Sequence, residues 1–134
     1  MVEDDIAIRR LIAHVLSGAG FRVDEAQDGA SAWMALGAGT YDLLITDNQM
    51  PRLTGVELIE KLHAAGSTLP VIMATGTAPT HIFDRSPWLK PAATVLKPYT
   101  CEEMLRTVKD VLAEAKRAGR QAEDPVHDAK VRDQ

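Results

Sequence analysis

Four short apolar stretches of this chain each run directly into a charged or hydroxylated residue, and this pattern limits the possible folds more than any other feature. Val2 leads into Glu3-Asp4-Asp5, Leu43-Leu44-Ile45-Thr46 into Asp47, Val71-Ile72-Met73-Ala74 into Thr75, and Ala93 to Leu96 into Lys97. Apolar runs this short suit strands covered on both faces. Helical periodicity fills the gaps between them. Ile8, Leu11, Ile12 and Val15 mark a first helix that Gly18 and Gly20 stop. Phe21 to Ala26 reads as a further strand. Asp28 is placed to cap a helix carrying Ala32, Trp33 and Leu36, with Gly37 and Gly39 at its end. After Pro51 and Gly55 a third helix carries Val56, Leu58, Ile59 and Leu62, and Gly66 and Pro70 bracket its exit. Thr100 and Glu103 form a capping box that opens the last helix, with Met104, Val108, Val111, Leu112 and Ala115 on its buried face. Between Thr77 and Pro91 lie Pro79, Pro87 and Pro91, so a helix there is short or distorted.

Alternating strands and helices predict an α/β fold, a doubly wound parallel sheet with helices on both faces. In such a sheet a ligand site lies beyond the carboxyl ends of the strands. Glu3, Asp4, Asp47, Thr75 and Lys97 are the polar residues at those ends. Carboxylates brought together repel unless one holds a proton or a cation joins them. An all-oxygen set suits a hard ion, Mg2+ rather than Zn2+. A lysine and a hydroxyl beside it supply charge and a donor for phosphoryl oxygens. The set reads as a phosphoryl site with Asp47 as a candidate nucleophile.

With 134 residues, 46% of them apolar, the chain fits one domain and is not disordered as a whole. Its formal net charge is -4 and no dense Lys/Arg block appears, so nucleic-acid binding is not supported. No apolar run approaches the ~20 residues that span a bilayer, and no signal-peptide pattern is visible. Cys101 is the single cysteine, which excludes an intrachain disulfide and suits the cytoplasm. His14, His63, His81 and His127 lack metal-ligand spacing. The domain is placed at residues 1–118, and 119–134 read as a disordered polar tail.

The ordered set V-E-D-D, I-T-D-N-Q-M-P-R-L-T-G, V-I-M-A-T-G and V-L-K-P-Y resembles the response-regulator receiver (CheY-like) family over roughly residues 2–116. The resemblance implies a flavodoxin-like sheet of order 2-1-3-4-5 and a role for each matching position. Asp47 is then the phosphoacceptor, and Asp4 the principal Mg2+ carboxylate with Glu3 assisting. The backbone carbonyl of Gln49 completes the protein ligands. Thr75 and Lys97 contact the phosphoryl oxygens, and Lys97-Pro98 is a cis peptide. Asp5 ranks below Glu3. The implied activity is a phosphorelay switch rather than a classical enzyme, although the domain assists its own phosphorylation and dephosphorylation. A sensor histidine kinase or histidine phosphotransfer protein supplies the phosphoryl group, and a downstream protein effector reads the result. No attached effector is expected. The alternative is a receiver-like interaction module that works without phosphorylation.

Two departures from the family pattern stand out. Only Met1 and Val2 precede Glu3, so the first strand is nearly absent unless a start further upstream restores it. Its loss predicts unpaired backbone groups and a gap in the core. Thr94 stands where the family often has an aromatic residue or histidine, so relay through a swinging ring is not available there.

Overall fold

The computed structural model describes residues 1–50, 52–77 and 79–121. Helix α1 spans Ile6–Gly18, with the Asp5 side chain accepting from the amides of Ala7 and Ile8 at 3.0 and 3.2 Å. It ends where Gly20 turns left-handed at φ 99°, a conformation open to glycine. Helix α2 (Gly29–Ala38) is capped by Asp28, which accepts from the Ser31 amide at 2.8 Å. Strand β1 covers Leu44–Thr46, α3 Gly55–Ala64 and β2 Val71–Thr75. The proline-rich stretch yields a short α4 (Thr80–Arg85) and one 3-10 turn over Pro87–Leu89, as its composition predicts. Strand β3 (Ala93–Leu96) and α5 (Cys101–Gln121) complete the order.

The strands β1, β2 and β3 are parallel neighbours in that order, with Ile45 opposite Ile72 and Met73 opposite Thr94. Val2 bridges in parallel to Thr46 on one side and Ala26 on the other. The spatial order is therefore Ala26, Val2, β1, β2, β3. This is the 2-1-3-4-5 arrangement with its first two strands cut to single bridging residues.

Alternate residues of each strand face opposite layers. Ile45, Ile72 and Ala74 pack with Ile12, Leu16, Met104 and Val108 beneath α1 and α5. Leu44, Val71 and Met73 pack with Val56, Leu58, Ile59 and Phe83 on the other face.

Several expectations need correction. Phe21 to Glu25 do not form a strand; within the expected strand only Ala26 bridges, to Val2. The expected loss at the first strand is smaller than its length suggests. Met1 and Val2 are both fully buried, and Val2, Glu3, Ala26 and Asp47 exchange backbone bonds across both neighbours. In α1 Leu11 is 53% exposed, and Ile12, Ala13 and Leu16 hold the buried positions. Ala115 is exposed because α5 leaves the core after Leu112. The last helix runs to Gln121. Lys116-Arg117-Ala118 favour helix, and its bonds need no tertiary partner. The remainder of the expected tail, and His127, lie outside the described residues.

Asp28 gives a direct check on α2. Its backbone bond from Ser31 holds the carboxyl below its ordinary 3.8, with nearby Arg52 contributing. The lowered value means the cap stabilises fully above pH 3.8 and is lost as pH falls through the depressed value. Asp28→Ala is expected to cost about 1 kcal/mol in urea unfolding at neutral pH, with the difference from wild type shrinking in strong acid.

Candidate functional site

Backbone register gathers the polar residues at one edge of the sheet. The Asp47 amide donates to the Val2 carbonyl at 3.0 Å, which sets Asp47 beside Glu3. The Lys97 amide donates to the Thr75 carbonyl at 2.9 Å, which sets the lysine beside β2. The Lys97 Nζ then reaches across to Glu3 Oε1 at 2.6 Å and Asp47 Oδ2 at 2.9 Å. Asp47 Oδ1 accepts from the Gln49 amide at 3.2 Å, so both carboxylate oxygens of Asp47 are engaged. Ligand oxygens of Glu3, Asp4 and Asp47 lie within 4.8 Å of one another.

The electrostatics follow from burial. Glu3 is 1% exposed and Asp47 6%. Burial pushes the Glu3 carboxyl up to about 7; the Lys97 ammonium pulls against this and the Asp4 carboxyl adds to it. Burial works against the charge on Lys97 too, but its bonds to Glu3 and Asp47 outweigh that and hold it above its ordinary range. Three carboxylates thus face one ammonium. Their all-oxygen chemistry and mutual reach fit a hard divalent cation such as Mg2+.

Five of the site residues read from sequence, Glu3, Asp4, Asp47, Thr75 and Lys97, stand at the strand ends. Their relations differ in detail from expectation. Glu3, ranked as the assistant, is the buried partner of Lys97, whereas Asp4 is exposed. Thr75 is fully buried, and its hydroxyl donates to the Thr77 carbonyl at 3.2 Å along its own loop. The Gln49 side chain is exposed, and its backbone is what meets Asp47. Asp5 caps α1, which accounts for it without a role at the site. The Lys97-Pro98 peptide is cis.

Sequence reasoning missed Asn48, whose side-chain oxygen accepts from the Val56 amide at 3.0 Å. It also missed a complete capping box at the start of α3, legible as T-x-x-E over Thr54 to Glu57.

A lysine bridging two buried acids at the strand ends of a 2-1-3-4-5 sheet is matched by the comparison with known families. The model of the response regulator receiver domain matches residues 1–109. The chain belongs to that family. This places the receiver in phosphorelay signalling, in a family that is generally not a classical enzyme. The receiver is 32% identical over 128 residues to the response regulator MprA of Mycobacterium ulcerans, covering 94% of this chain and 54% of that protein. With the MprA of Mycobacterium avium it shares 32% over 118 residues, 87% of this chain and 51% of the relative. The chain thus spans about half the length of these curated relatives. Among solved structures, a CheY-like receiver domain protein from Methanospirillum hungatei superposes with a TM-score of 0.81 at 27% identity, covering 88% of this chain and 94% of the other. CheY4 of Vibrio cholerae gives 0.74 at 28% identity, with 82% and 93% covered. Among the described residues, no helix is long and apolar enough to cross a membrane.

Proposed function

We propose that this receiver accepts a phosphoryl group on Asp47 from a phosphohistidine of a sensor histidine kinase or histidine phosphotransfer protein. A carboxylate oxygen of Asp47 forms the new bond to phosphorus. The P–N bond breaks, and the imidazole leaves with its electron pair and takes a proton. Catalysis of this kind is mostly positioning and charge neutralisation.

The carboxylates of Glu3, Asp4 and Asp47 and the carbonyl of Gln49 would hold Mg2+, which supplies positive charge against the phosphoryl oxygens when bound. Lys97 neutralises charge on the same oxygens. Thr75, turned from the Thr77 carbonyl, donates its hydroxyl to them. Water later hydrolyses the acyl phosphate. Output passes to a downstream protein effector, and the setting is cytoplasmic.

The observation that carries this reading is the Lys97 ammonium bonded to both Glu3 and Asp47, with the Asp4 carboxylate in reach of each. Incubation with Mg2+ and acetyl phosphate, followed by intact mass measurement, tests it. The expected result is a gain of one phosphate that is absent in Asp47→Asn and absent in EDTA. A folded wild-type chain that gains nothing, or an Asp47→Asn chain that gains as much, refutes it.

A further inference from the structure

Helix α3 begins with four backbone N–H groups that the helix itself cannot satisfy. The Glu57 carboxylate accepts from one of them, the Thr54 amide, at 3.0 Å, and the Thr54 hydroxyl accepts from another, the Glu57 amide, at 3.1 Å. Asn48 takes the other two. Its carbonyl accepts from the Gly55 amide at 3.1 Å and its side-chain oxygen from the Val56 amide at 3.0 Å. The contact is close: a Cβ on Gly55 would lie 2.6 Å from the Asp47 carbonyl oxygen and 3.0 Å from the Asn48 Cα. Helix α3 is a firm anchor, since Val56, Leu58, Ile59 and Leu62 are all buried.

Asn48 lies between Asp47 and Gln49, and the Gln49 amide donates to Asp47 Oδ1 at 3.2 Å. We infer that Asn48 is a positioning residue that ties the Asp47–Gln49 peptide units to the first turn of α3 and so aims the Asp47 carboxylate and the Gln49 carbonyl at the cation. The inference rests on the reading of the acidic cluster as a Mg2+ and phosphoryl site. The two cap residues separate a structural role from a positioning one. Thr54 and Asn48 each give a side-chain bond to the same helix turn, but only Asn48 adjoins the acceptor.

The test uses the full chain and two variants, Asn48→Ala and Thr54→Ala. Thermal midpoints in EDTA are expected to fall to a similar extent in both. Mg2+ affinity by calorimetry is expected to weaken about tenfold in Asn48→Ala and to stay within about twofold of wild type in Thr54→Ala. Equal affinities in wild type and Asn48→Ala overturn the inference, as does equal weakening in both variants. A measurement on the unaltered chain guards against a variant that does not fold. Amide hydrogen exchange in EDTA is expected to show Gln49 protected alongside Val56, and a Gln49 amide exchanging at open-loop rates overturns the inference. A wild-type chain that gains phosphate and binds Mg2+, while Asn48→Ala matches it, sinks the positioning role alone. A wild-type chain with neither property sinks the site reading and this inference together.

Discussion

Replacing Lys97 with alanine is expected to lower the unfolding free energy by about 3 kcal/mol in EDTA, and saturating Mg2+ is expected to return most of the loss. The ammonium lies within hydrogen-bond reach of two acids that are almost wholly buried. Removing one partner of a buried pair leaves the other charge uncompensated, which costs about 3–5 kcal/mol. The Lys97 side chain is 26% exposed, so water already screens part of the interaction and the low end of that range applies. Glu3, already pushed up to about 7, loses its one lowering partner and becomes still harder to ionise.

A divalent ion can replace the missing charge. At about a hundred times its Kd it adds about 2.7 kcal/mol to the folded state. Urea unfolding with and without Mg2+ measures both effects. The double variant Lys97→Ala with Glu3→Gln supplies the internal control, because removing the acid as well is expected to recover much of the stability without metal. A loss below about 1 kcal/mol in Lys97→Ala, or no recovery in the double variant, would show that the lysine does not hold this pair together.

What could be read in the sequence is what depends on local pattern. The runs at Leu43–Thr46 and Val71–Ala74 are apolar because both of their faces are buried, whereas Ala93–Leu96 lies at the sheet edge with only Val95 buried and Leu96 exposed; each leads to the carboxyl end of its strand. The functional residues follow from that rule, since Asp47, Thr75 and Lys97 are the next residues out. The errors fall where the answer depends on a distant partner. Phe21 to Glu25 carry strand-like residues, but a strand exists only beside another, and here the pairing is a single bridge between Ala26 and Val2. Leu11 and Ala115 fit helical stripes whose true position is fixed by how α1 and α5 pack on each other and the sheet. Which of Glu3 and Asp4 turns inward is likewise not legible, because Lys97, the partner of Glu3, stands 94 residues away in the sequence. Asn48 shows the same limit. Its contact with Val56 crosses eight residues, a spacing with no recognisable motif.

Extending the chain ahead of Met1 with two apolar β-branched residues is expected to raise its stability by about 2 kcal/mol. The Met1 α-amino group is buried and donates to the Asp24 carbonyl at 2.8 Å. That carbonyl is where the amide of a continuing strand would bind, one rung before the bond from the Glu3 amide to the Ala26 carbonyl. Burial holds the amine well below its ordinary 8.0 even with Glu25 and Asp24 nearby, which shows how poorly this position suits a positive charge. A peptide bond there keeps the donor and moves the charge away. An amine held well below 8.0 is neutral in the fold near pH 7, so it costs the proton that the unfolded chain keeps, about 1 kcal/mol, and burial of the added apolar residues supplies the rest of the gain. Added β-branched residues would also run between Phe21–Asp24 and Leu43, giving the first segment the length of a true strand. The two contributions can be separated. A Gly-Gly extension removes the amine without adding apolar surface, and a Val-Ile extension does both. Thermal and urea unfolding in EDTA are expected to rank the chains Val-Ile above Gly-Gly above the unextended form. If both extensions unfold at the same urea concentration as the unextended chain, the buried amine is already fully compensated and the short first strand carries no penalty.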